Sequence, residues 1–189
     1  MKSLLVVVDM VNGFITEGAL HDESIANALD PIIDLIEDHL KENNPILAFR
    51  DAHPEDALEF ASFPPHCLIN DSESELVKEL KPYEDKMTVL PKNSTNGFMQ
   101  PDFLPYFKSL EGLEQVVVTG CCTDICVLQF ALSLKGYCNQ HNIPLKIIVP
   151  ADTVDTFGGP GHDKTTMNQT ALALMSAAGI CVTDTYGKE

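Results

Sequence analysis

The sequence predicts a doubly wound α/β fold, a mainly parallel six-stranded sheet with helices on both faces. Three observations carry this reading. Short β-rich runs alternate with helical patterns from end to end, as crossover units do. The runs are apolar at consecutive positions, which suits strands covered on both faces. The chain has 189 residues without internal repeat, low-complexity tract or linker, so residues 1–189 read as one domain.

Strands are expected at Leu4–Val8, Ile46–Phe49, Thr88–Leu90, Val116–Thr119, Leu145–Val149 and Cys181–Thr183. After the first, Asp30 and Pro31 read as an N-cap and first helical position, with Ile32, Leu35, Ile36, His39 and Leu40 at helical spacing. Asn43-Asn44-Pro45 stops this helix. Further helices are expected at Ser74–Leu80 and Phe103–Ser109. Thr123 reads as the cap of another, whose apolar stripe is Val127, Phe130, Ala131, Leu134 and Cys138. A last helix is expected over His162–Ala178, stopped by Gly179.

Composition excludes several partners. With 12 basic and 28 acidic side chains the formal charge is −16, which repels nucleic-acid phosphates and anionic membrane surfaces. The apolar runs are far shorter than the roughly 20 residues of a membrane helix. Met1-Lys2 leads directly into the first strand without the apolar length of a signal peptide, so a cytoplasmic protein is expected. There, Cys67, Cys121, Cys122, Cys126, Cys138 and Cys181 are expected as thiols rather than a disulfide framework.

In an open parallel sheet, ligands bind beyond the carboxyl ends of the strands where strand order reverses. Asp9 follows the first strand, Arg50-Asp51-Ala52-His53 the second, Pro91-Lys92 the third and Gly120-Cys121-Cys122-Thr123-Asp124-Ile125-Cys126 the fourth. A strand order 3-2-1-4 makes Asp9 and Cys126 neighbours. Cys126, early in its helix, has an environment that favours a thiolate nucleophile. Asp9 reads as its general base and Lys92 as a fixed cation on the same rim. Asp51, His53, Glu59 and His66 offer mixed nitrogen and oxygen ligands for zinc, iron or manganese, with Asp56 or Glu55 as alternatives to Glu59. The Gly158-Gly159-Pro160-Gly161 stretch fits no phosphate-binding fingerprint and reads as a turn.

These residues resemble a known family. Val8-Asp9-Met10-Val11-Asn12-Gly13-Phe14, Arg50-Asp51-Ala52-His53, Phe63-Pro64-Pro65-His66, Pro91-Lys92-Asn93-Ser94 and the run from Val118 to Val127 make the chain similar to the isochorismatase-like cysteine hydrolases, above all their nicotinamidase (pyrazinamidase) branch. The resemblance implies a triad of Asp9, Lys92 and Cys126, a cis peptide between Cys121 and Cys122, and an oxyanion hole from the Cys122 and Cys126 amides. It implies a divalent metal, zinc first, on Asp51, His53, His66 and Glu59, and a pyridine ring between Phe14 and Phe63. The implied reaction is hydrolysis of nicotinamide to nicotinate and ammonia in NAD salvage. Val11 and Gly13 depart from the Gln and Asp of many relatives. The alternatives are another small amide, isochorismate, or a non-catalytic ligand-binding member. A homo-oligomer is compatible with the sequence.

Overall fold

The computed structural model describes residues 2–187. Its sheet has seven strands: β1 (Ser3–Val8), β2 (Ile46–Asp51), β3 (Thr88–Lys92), β4 (Gln115–Cys121), β5 (Lys146–Pro150), β6 (Val154–Asp155) and β7 (Cys181–Thr183). The order is β3-β2-β1-β4-β5-β7, all pairs parallel, with β6 beside the end of β4. The doubly wound class and the order 3-2-1-4 match expectation. The strand number does not. Along β4, β5 pairs only with Gln115–Val117, leaving the end of β4 free to pair Gly120 with Val154 and Cys121 with Asp155. Two residues are too few to leave an apolar signature.

The consecutive apolar positions serve two cores. Leu4, Val6 and Val8 of β1 face α3 (Phe103–Ser109), α4 (Leu128–Gln140) and α5 (Lys164–Ala177), packing with Phe49, Phe103, Phe130 and Met175. Leu5 and Val7 turn the other way, onto Ile32, Leu35 and Ile36 of α2 (Leu29–Lys41). Each buried aliphatic side chain contributes on the order of 1.5–3 kcal/mol. A polar substitution in β1 therefore damages whichever of these two layers it faces.

Four helix expectations are corrected. Asp30 and Pro31 lie inside α2, which a 3-10 turn over Glu23–Ala28 leads into. Pro31 is tolerated because first-turn amides have no intrahelical acceptor. Ser74 only ends a 3-10 turn over Ser72–Ser74, and Ser74–Leu80 forms no α-helix. Its backbone bonds the segment after β1 instead, with Asn12 N–H donating to Glu75 O and Val77 N–H to Met10 O, while Leu76, Val77 and Leu80 are fully buried. Thr123 caps nothing: Thr123–Val127 is a π-helical turn ahead of α4, and Val127 N–H reaches back five residues to Cys122 O. The last helix begins at Lys164, with Asp163 accepting from Thr166 N–H as its cap. Among the described residues no helix is long and apolar enough to cross a membrane.

Candidate active site

The site forms where β1 and β4 lead chain in opposite directions. Val8 and Gly120 are paired there, and a Cβ on Gly120 would lie 2.0 Å from the Val8 carbonyl oxygen, so only glycine allows the two strands to close at this point. Gly120 also takes φ +109°, which side chains disfavour. Asp9 follows with φ +51°, a left-handed conformation uncommon outside glycine, Asn and Asp. Cys126 arrives from the π-helical turn, and the peptide between Cys121 and Cys122 is cis.

Lys92 joins these two from β3. It stands in register with Asp51 on β2 and donates to Asp51 Oδ1. Its Nζ is 2.7 Å from Asp9 Oδ2 and 4.0 Å from Cys126 Sγ. All four side chains are buried. Burial raises the Asp9 carboxyl to about 7, against the opposing charge of Lys92 and with help from Asp51. Burial also tends to raise Asp51, but the Lys92 charge, the close approach of the His53 and His66 rings and the Lys92 hydrogen bond outweigh it and the group is lowered. Burial pushes the Cys126 thiol well above its usual range, with Lys92 opposing and Asp9 and Asp51 reinforcing. Burial at this position thus favours the thiol, and works against the thiolate that its place early in a helix favours. Among the described residues the Cys122 amide donates to no other protein group, which leaves it free to hold an oxyanion.

Beside this group, Asp51, His53, Glu59 and His66 bring one donor atom each within 4.8 Å of one another. Asp51 Oδ2 is 3.4 Å from His53 Nε2 and 3.5 Å from His66 Nε2, and Glu59 Oε1 is 3.9 and 4.0 Å from the same nitrogens. Of the three acids considered for the fourth place, Glu59 is the one that joins the cluster. These residues fit a divalent cation. His53 Nδ1 contacts Asn93 Oδ1 at 2.7 Å and His66 Nδ1 contacts the Pro64 carbonyl at 2.8 Å, which leaves each Nε2 as the free donor of a neutral ring. His53 Nε2 is buried without a hydrogen-bond partner. Three buried or half-buried carboxylates face one ammonium across the two groups, a charge imbalance that a cation relieves.

A cavity of about 310 Å³ opens over both groups. Cys122, Cys126, Asp51, Glu59 and His66 line it, and so do Phe14 and Phe63. Both phenylalanines contact the His66 ring, with centroids at 5.6 and 6.3 Å. Sequence reasoning missed several participants. Asn93 was legible as the neighbour of Lys92, and Phe60, 5.4 Å from the His53 ring, as the neighbour of Glu59. Thr95 N–H donates to Glu59 Oε2 at 3.0 Å, and its hydroxyl bonds Gln129 of α4. Phe157, Gly158, Gly159 and Pro160 form a wall of the cavity, in the stretch read as a plain turn.

A doubly wound sheet with an acid, a lysine and a thiol buried at its switch point, and a cluster of cation ligands alongside, defines the class. The chain belongs to the isochorismatase family, whose Isochorismatase domain it matches over residues 3–185. It is 32% identical to nicotinamidase 1 of Arabidopsis thaliana over 208 aligned residues, covering 93% of this chain and 82% of that protein. Its fold is similar to that of N-carbamoylsarcosine amidase from Thermoplasma acidophilum, with TM-score 0.81, 27% identity and coverage of 100% and 99% of the two chains. The pyrazinamidase of Pyrococcus horikoshii, solved in complex with zinc, shares the fold with TM-score 0.80, 24% identity and coverage of 97% and 99%.

Proposed function

We propose that this protein is a metal-containing cysteine amidohydrolase that converts nicotinamide to nicotinate and ammonia through a thioester, a step of NAD salvage. The observation that carries the reading is the convergence of Asp51, His53, Glu59 and His66 at the cavity that Cys126 also lines. A thiol alone suits many acyl transfers. A thiol beside a nitrogen- and oxygen-ligand cluster suits a small amide whose ring carries a donor atom of its own. The relationship to nicotinamidase 1 supports the same substrate.

Asp9, raised to about 7, is matched to proton exchange near neutral pH. It takes the Cys126 proton as sulfur attacks the carboxamide carbon and the carbonyl electron pair moves onto oxygen. The Cys122 and Cys126 amides hold that oxyanion. Collapse breaks the C–N bond, Asp9 returns its proton to the departing nitrogen, and ammonia leaves a thioester. Water then gives a proton to Asp9 and its oxygen to the acyl carbon. As the C–S bond breaks, sulfur recovers the proton and nicotinate is released. Lys92, fixed between Asp9 and Asp51, keeps positive charge near the sulfur throughout. A divalent metal, zinc first with iron or manganese as alternatives, would be held by the four ligands and supplies a Lewis-acid point that orients the pyridine nitrogen. Phe14 and Phe63 bracket the ring.

The test is an assay of purified protein with nicotinamide, in which ammonia and nicotinate appear in equal amounts. No release from nicotinamide, with release from another amide of a small panel, would reassign the substrate.

A further inference from the structure

We propose that Asp124 and His162 are positioning residues that clamp the segment 156–162 against the turn carrying Cys126, and so set the size of substrate the cavity admits. The inference rests on the reading of Cys126 as the nucleophile. Phe157, Gly158, Gly159 and Pro160 form a cavity wall, yet the segment belongs to no helix or strand. Three glycines give it little side-chain packing of its own, so its position depends on bonds to the rest of the protein.

Those bonds converge on one carboxylate. The Thr156 hydroxyl donates to Asp124 Oδ1 at 2.6 Å, and His162 Nε2 lies 2.8 Å from Asp124 Oδ2. His162 Nδ1 lies 3.0 Å from the Phe157 carbonyl oxygen, and the two rings stack with centroids 3.8 Å apart and planes 8° from parallel. Both nitrogens face acceptors, so both bonds form together only when each carries a proton. Gly159 and His162 exchange backbone bonds, which folds the segment back on itself. Gly158 N–H donates to Asp22 Oδ2 and holds the far side. Asp124 lies within the five-residue π-helical turn, two positions before Cys126. The wall and the thiol are therefore tied to one piece of backbone, and the gap between them is held by the Asp124 contacts. Releasing the clamp lets the wall move away, which loosens the fit of a small planar amide and opens the thiol to larger molecules.

The experiment compares wild type with His162→Ala, Asp124→Ala and Asp124→Asn in two readouts. The first is KM against kcat for nicotinamide. The second is the ratio of Cys126 alkylation rates by a bulky reagent, fluorescein maleimide, and a small one, iodoacetamide, followed on the Cys126 peptide by mass spectrometry. His162→Ala is expected to raise KM about tenfold with kcat within about threefold, and to raise the bulky-to-small ratio about tenfold. Asp124→Ala does the same. Asp124→Asn keeps an acceptor for Thr156 and can offer an N–H to His162 Nε2 while Nδ1–H still donates to the Phe157 carbonyl, so both readouts return to within about threefold of wild type. An unchanged ratio in His162→Ala, or a fall in kcat at constant KM, overturns the clamp. If nicotinamide is not turned over, the alkylation ratio still decides, so failure of the substrate assignment is separate from failure of the clamp. Should His162→Ala not fold, His162→Gln and Thr156→Val each remove part of the clamp and must shift the ratio in the same direction.

Discussion

Lys92 donates to one carboxylate oxygen of Asp51, Oδ1, and leaves the other, Oδ2, facing the imidazoles of His53 and His66. One side chain thereby connects the acid–lysine–thiol group to the ligand cluster. Register explains the arrangement: Asp51 and Lys92 are partners across β2 and β3, so a parallel ladder places the carboxylate between the two centres. The two centres are expected to respond together to changes at Asp51 and separately to changes elsewhere.

Removing the thiol tests the chemistry alone. Cys126→Ala is expected to lower kcat at least about 10⁴-fold while metal content and thermal midpoint stay near wild type. Residual turnover within tenfold of wild type would rule out the thioester.

The raised Asp9 carboxyl gives a direction for the pH profile. A general base must be unprotonated, so kcat/KM should fall about tenfold per pH unit below roughly pH 7 and level off above it. A rate that stays flat from pH 7 to pH 5 would contradict the base assignment.

Asn93 tests the support of the ligand cluster. It fixes the His53 ring from behind, and Asn93→Ala is expected to weaken divalent-metal affinity about 10–100-fold, read by competition with a chromogenic chelator. Chelation of the wild-type protein should abolish turnover, and added zinc should restore it. Unaltered affinity in Asn93→Ala would show that the ring is held by other means.

Gly120 tests the closure of the sheet at its switch point. In Gly120→Ala the new Cβ meets the Val8 backbone at φ +109°, and the predicted loss is more than about 3 kcal/mol in urea unfolding. A loss below about 1 kcal/mol would mean that the strands separate here at little cost.

Much of the fold was legible because its signals are local. The apolar runs Leu4–Val8 and Val116–Thr119 and the polar residues directly after them identify strands and a rim without any knowledge of contacts. Asp9, Lys92 and Cys126 were found because each lies at or soon after the carboxyl end of a strand, and the structure brings them together. What escaped depends on distant partners. Leu76, Val77 and Leu80 imitate a helical face, but the backbone here is bonded to residues far earlier in the chain at Glu75 and Val77. The π-helical turn follows from two five-residue hydrogen bonds, Val127 N–H to Cys122 O and Leu128 N–H to Thr123 O, that no residue type announces. β6 exists only because β4 outruns β5. Asp124, Thr156 and His162 are ordinary polar residues in sequence and become a unit only where the chain returns to the cavity.

The divided duty of Asp51 also bears on how such a protein can change over time. A descendant that exchanged both imidazoles would give up two of the four clustered donors and still keep the partner of its lysine. A descendant that exchanged the aspartate would have to rebuild both centres at once. Change at the two imidazoles is thus open to stepwise descent, whereas loss of this carboxylate is not.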